Sequence, residues 1–178
     1  MNASTVARSL SLAAALAASP AVLAANDGSL GASSSGDLQV TMSVADRVQV
    51  TRLDDIVLGG YGGTGDMVGA EAFCAYRNGT GLYALTLSSA NALAGQFRAS
   101  NGPKFISYVV RIDDDTDASD GALTTSGATR TGLAGSGTSV SCGAADNAAV
   151  EITFAEADLQ GAAAGAYADT LTLLVEPN

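Results

Sequence analysis

"KFISYVVRID", residues 104–113, puts Ile106, Tyr108, Val110 and Ile112 at every second position, with Ser107, Val109 and Arg111 between them. Successive side chains of a strand point to opposite faces, so this period of two predicts a β-strand with one face buried. The same reading extends toward the N-terminus. "GLYALTLSS" aligns Tyr83, Leu85 and Leu87, "AEAFCAYRN" reads as a strand, "GQFRAS" as a short one, and "DRVQVTRLDDIVLGG" carries Val48, Val50, Leu53 and Ile56. Between two of these, "RNGTG" predicts a turn, since Asn-Gly supplies the positive φ angles of a tight hairpin. Toward the C-terminus, residues 113–143 are polar and rich in Gly, Ser and Thr, with a short strand candidate at "ALTTS". "AAVEITFAEADL" then presents Val150, Ile152 and Phe154, "QGAAAGAY" offers a helical turn at most, and "AYADTLTLLVEPN" aligns Tyr167, Leu171, Leu173 and Val175. Seven or more short strands with glycine-rich turns and almost no helical periodicity predict an all-β sandwich.

The first residues read differently. "MNASTVARSLSLAAALAASPAVLAAN" has one basic residue, Arg8, an apolar run from Leu10 to Leu23, and Val22 and Ala24 at the small-residue positions of a cleavage site. Residues 1–24 are therefore expected to be a signal peptide, and the mature chain to be exported through the Sec route without membrane insertion. Loss of Arg8 leaves 7 basic against 18 acidic residues and no basic cluster, which argues against nucleic acid or an anionic membrane as partner. Two cysteines, Cys74 and Cys142, in an exported chain predict one disulfide.

Residues 25–36 form a Gly/Ser-rich spacer before "DLQVTMSVA", residues 37–45. There Leu38, Val40, Met42 and Val44 alternate with Gln39, Thr41 and Ser43. A lone terminal strand can neither satisfy its backbone groups nor cover its apolar face. Addition to a sheet edge elsewhere would do both. The alternative is that it is the first strand of a complete sandwich, paired within its own chain.

Sites for chemistry are scarce. "RIDDDTDASDG" gathers carboxylates, but a calcium loop begun at Asp113 meets Ala118 where glycine is needed and Thr124 where glutamate is needed; a start at Asp115 fails likewise. With no histidine there is no Ser-His-Asp triad and no His-containing metal site, and the adjacent Asp54 and Asp55 point to opposite strand faces, unsuited to a facing acid pair. "GGYGGTG" lacks the Gly-Lys-Ser/Thr of a phosphate loop, and "NGT" at residues 78–80 matches a glycosylation sequon. No catalysis and no cofactor are expected.

"LQVTMSV", "VQVTRLDDIVLG", "FCAYRNGTGLYALTLSS" and above all the closing "AGAYADTLTLLVEP", with its G-x-Y-x-D-T-L-T pattern, resemble subunits of bacterial chaperone–usher pili, particularly the spore coat U-like and archaic or alternative branches. The resemblance implies an immunoglobulin-like sandwich, residues 46–178, lacking its last strand. It further implies a donor strand at 37–45 (Leu38, Val40, Met42, Val44) and an acceptor groove lined by Val48, Val50, Leu171, Leu173 and Val175. The implied function is that of a structural pilus or fimbrial subunit assembled by donor-strand exchange at the cell surface. Its implied partners are a periplasmic chaperone, an outer-membrane usher and neighbouring subunits. The competing reading is a secreted monomeric sandwich that binds carbohydrate or calcium through its loops.

Overall fold

The computed structural model describes residues 25–178; the expected signal peptide, residues 1–24, lies outside the described residues. The chain divides after Val44 into two units. In the first, Asn26 and Asp37 exchange backbone hydrogen bonds of 2.8 and 2.9 Å, which closes the spacer into a loop. Residues 38–44 carry no ladder, and Leu38, Val40, Met42 and Val44 are 75%, 84%, 85% and 71% exposed.

The second unit is a sandwich of two antiparallel sheets. One runs in the order β1 (Val48–Thr51), β2 (Met67–Arg77), β8 (Ala148–Phe154), β5 (Phe105–Asp113), β4 (Phe97–Ser100), with β6 (Ala122–Thr124) also paired to β5. The other is β7 (Thr129–Ala134), β3 (Leu82–Ser89), β9 (Leu171–Pro177). The alternation at 104–113 settles into this frame as its spacing requires. Ile106, Tyr108, Val110 and Ile112 are buried and share one core with Tyr83, Leu85 and Leu87 of the opposing sheet. Burial of each such side chain contributes roughly 1.5–3 kcal/mol. Tyr108 sits between Phe97 and Phe154, ring centroids 5.7 and 4.8 Å away.

Three local expectations are corrected. The turn at "RNGTG" has its left-handed glycines, Gly79 at φ 81° and Gly81 at φ 76°, but it joins no hairpin, because β2 and β3 lie in different sheets. Both strands carry an apolar face that must meet another layer, so the chain folds over instead of pairing side by side. A Cβ on Gly81 would stand 2.7 Å from the Gly135 carbonyl, which leaves room for glycine alone. The helical turn expected at 160–167 forms earlier, as α1 (Glu156–Gln160), with Glu156 and Asp158 in its first turn and the Glu156 N–H donating to the Asp66 carboxylate (2.8 Å). Finally, the polar stretch 113–143 holds the expected short strand at "ALTTS" as β6 and, beyond it, β7, a strand the reading did not include.

β1 is short because Arg52 adopts φ 68°. Its guanidinium meets Asp146, 2.5 Å away, and the chain leaves the sheet. Leu53 is consequently exposed, while Ile56 and Leu58 turn inward over Gly69 of β2, where a Cβ would lie 2.6 and 2.5 Å from their respective methyl groups. Beyond the end of β1, these two side chains take over the covering of the core.

Candidate functional site: an open side between two edge strands

Among the described residues β1 pairs only with β2, and β9 only with β3, so each ends its sheet with a free row of backbone donors and acceptors. The two edges approach to within 8 Å between Cα atoms across the sandwich. Val48 and Val50 of β1 and Leu171 and Leu173 of β9 are half-buried against the core, and Val175 is buried at 9% exposure. These five residues therefore share one side of the sandwich. Ile56 and Leu58 extend the same apolar wall past Thr51; the sequence reading singled out Ile56 and missed Leu58, because the strand has ended there.

Each mouth of this side is tied by polar contacts. At one end Arg77 donates to the Asp46 carboxylate (3.3 Å), Thr80 Oγ1 (3.2 Å) and the carbonyls of Leu82 (2.9 Å) and Asn178 (2.5 Å), linking the entry of β1 to the exit of β9. At the other end lies the closing sequence pattern. Ala168 pairs with Ser100 at the end of β4. Asp169 accepts from the Tyr108 hydroxyl (2.5 Å) on one oxygen and from Asn91 Nδ2 (2.9 Å) on the other. Asp169 thus fixes the start of β9 to both sheets, which gives the "D" of that pattern a physical role.

No family model matches this chain, and no curated protein does.

Asp113–Gly121 does not gather ligands. Asp113, Asp115 and Asp117 accept from the amides of Asp114 (2.7 Å), Asp117 (2.7 Å) and Ser119 (3.0 Å), and Asp114 accepts from Ala134 N–H (2.7 Å). Among the described residues no group of three His, Cys, Asp or Glu side chains is arranged to hold a metal ion. Asp54 and Asp55 follow the end of β1, and the Asp54 amide donates to Glu71 (2.9 Å). A cavity of about 520 Å³ between Asp66, Gln96, Thr124 and Asp158 includes the rings of Phe97 and Tyr108, but these are buried and offer no stacking face. Phe105 is exposed, yet Arg98 lies over it at 4.3 Å. Cys74 and Cys142 form the expected disulfide.

The Tyr108–Asp169 contact carries a pH signature. Burial first, then the bond to Asp169 and its charge, raise the Tyr108 phenol above its ordinary value; Tyr83, buried and near Asp114 and Asp113, is raised as well. A group whose folded pKa exceeds its unfolded one stabilises the fold fully below the unfolded value, about 10 for tyrosine, and loses that contribution as pH climbs through the folded value. Melting temperature is therefore expected to be flat with respect to these two groups from pH 7 to 9.5 and to fall above pH 10. Tyr108→Phe should reduce the alkaline slope and cost about 1–3 kcal/mol at pH 7 by stripping Asp169 of a donor. Thermal melts of both proteins from pH 7 to 11 check this. Equal alkaline slopes would sink it.

Proposed function

We propose that this chain is a structural subunit of a surface pilus or fimbria, joined to its neighbours by donor-strand exchange. Residues 37–45 of one copy enter the open side between β1 and β9 of the next. The observation that carries the reading is the pairing of two unmet needs. Leu38, Val40, Met42 and Val44 expose an alternating apolar face with no strand beside it, and the sandwich leaves two edge strands with half-buried apolar residues between them.

Strand addition supplies main-chain hydrogen bonds to a free edge and seats alternate side chains. Four buried side chains contribute roughly 6–12 kcal/mol before ordering costs. A strand seated between two others requires them about 9.5 Å apart, so β1 and β9 must separate slightly where they stand within 8 Å. Because donor and acceptor are different surfaces, the contact is head-to-tail and propagates as a fibre when the rotation does not close. Such an edge also invites wrong pairing before assembly. A periplasmic chaperone that covers it and an outer-membrane usher that orders the exchange are the partners this reading requires, with export and surface display as its location.

The test uses residues 25–178 with and without excess synthetic peptide 37–45. The peptide is expected to raise the melting temperature by about 10 °C at a hundredfold excess over Kd, and to shorten or cap assemblies seen by size-exclusion chromatography. A stably folded monomer that is indifferent to peptide would overturn the proposal.

A further inference from the structure

We infer that Asn78, assisted by Arg77, is a clasp that directs the donor segment to a neighbouring molecule instead of its own groove; this rests on the strand-exchange reading above. Residues 45–47 are all that separate Val44 from Val48, and Asn78 holds them from both sides. Arg47 N–H donates to Asn78 Oδ1 (2.8 Å), Asn78 Nδ2 donates to the Ala45 carbonyl (2.9 Å), and Asn78 N–H donates to the Arg47 carbonyl (3.2 Å). These contacts continue the β1–β2 ladder past its last pair, Val48 with Arg77, by using a side chain as a substitute strand. Arg77 pins the residue between them through Asp46.

The geometry matters because the free edge of β1 borders the groove. For residues 38–44 to fill the groove of their own chain they must fold back along that edge as a hairpin, with 45–47 as its turn. Three-residue hairpin loops are common, so length alone does not forbid the reversal. The clasp does oppose it, since a turn at 45–47 must break the bonds at Ala45 and Arg47.

Polarity does not decide between the two routes. β1 is antiparallel to β2, the four-residue crossover reverses the chain into β3, and β3 is antiparallel to β9, so β1 and β9 run in opposite directions. A hairpin partner of β1 would lie parallel to β9, the less stable pairing. A donor from another molecule that runs antiparallel to β9 lies parallel to β1 instead, so each route contains one parallel pairing and the clasp alone carries the choice. Sequence reading assigns Asn78 to a turn or a sequon; the contacts give its amide a different occupation.

The test uses the oxidised chain 25–178 as wild type, Asn78→Ala, Asn78→Asp and Asp46→Asn, each shown folded by circular dichroism. The probe is a fluorescein-labelled 37–45 peptide. A monomer filled by its own segment does not bind the peptide, whereas an open one does. Asn78→Ala is expected to raise the peptide-refractory monomer at least fivefold at the expense of assemblies. Asn78→Asp, which keeps the acceptor for Arg47 but loses the donor to Ala45, should fall between it and wild type. Asp46→Asn, at an exposed carboxylate, guards against failure of the Asn78 variants to fold and should show a smaller rise in the same direction. Folded variants that partition like wild type overturn the clasp and leave the exchange reading standing. A wild-type chain that neither assembles nor binds peptide overturns both.

Discussion

Met42→Asp should abolish assembly and leave the sandwich's own melting temperature unchanged. Met42 is 85% exposed in the isolated chain, and exposed substitutions away from special features move stability by about 0.5 kcal/mol or less. Seated in a groove, the same position must give up water. Loss of the methionine forfeits roughly 1.5–3 kcal/mol of apolar transfer, and an unpaired carboxylate brought out of water costs several kcal/mol more. The total of about 5 kcal/mol exceeds a thousandfold in affinity. Ser43→Asp places the same charge on the alternate side of the strand and should have little effect. That parity contrast separates strand addition from a general intolerance of charge. Leu173→Asp, on the receiving side, should damage both properties, because Leu173 already packs on the core. Size-exclusion chromatography and negative-stain microscopy read the assemblies; thermal melts read the fold. Met42→Asp that assembles like wild type, or Ser43→Asp that is equally harmful, would remove the basis for residues 37–45 as the joining element.

What the sequence disclosed depended on how far each interaction reaches. β5 and β3 were readable because inward side chains recur every two residues, and Tyr83, Leu85, Leu87, Val110 and Ile112 are almost wholly buried. β7 was not, since Leu133 is its one buried residue and Gly132 sits at φ 74°. Its place is set by pairing with β3, which no local pattern states. The hairpin predicted at "RNGTG" failed for a related reason. Turn chemistry fixes a reversal in direction, but whether the strands pair or stack depends on which faces must be covered.

The groove residues divide along the same line. Val48, Val50, Leu171, Leu173 and Val175 stand out by alternation as inward strand positions, their grouping as an acceptor groove being only what the resemblance implies, whereas Ile56 and Leu58 turn inward only after Arg52 has broken the strand. The polar ties are the least legible: Arg47 lies 31 residues from Asn78, and Tyr108 lies 61 from Asp169. Asp169 belongs to the closing pattern and Asn78 to the predicted turn, but only the folded chain brings them to their partners.

The disulfide is the other place where a large effect is expected. Cys74 is fully buried on β2, the strand that backs β1, and Cys142 lies in a short 3-10 turn, Cys142–Ala144, their Cα atoms 5.8 Å apart. The bridge closes a loop of sequence separation 68, worth about 4 kcal/mol if its effect is restriction of the unfolded chain. The double variant Cys74→Ala, Cys142→Ala should therefore melt about 15 °C lower under conditions that keep the wild type oxidised. Hydrogen bonds from the same region survive the change: Ala75 N–H to Asn147 Oδ1 (2.8 Å), Asn147 Nδ2 to the Ala75 carbonyl (3.0 Å) and Ser136 N–H to that carbonyl (2.9 Å). The variant should thus still fold at low temperature, with its two-sheet signal in far-ultraviolet circular dichroism intact, because these contacts hold the 135–147 segment against β2 without the sulfurs. A melting temperature within about 3 °C of wild type would mean that the bridge restricts the unfolded chain far less than its loop length implies.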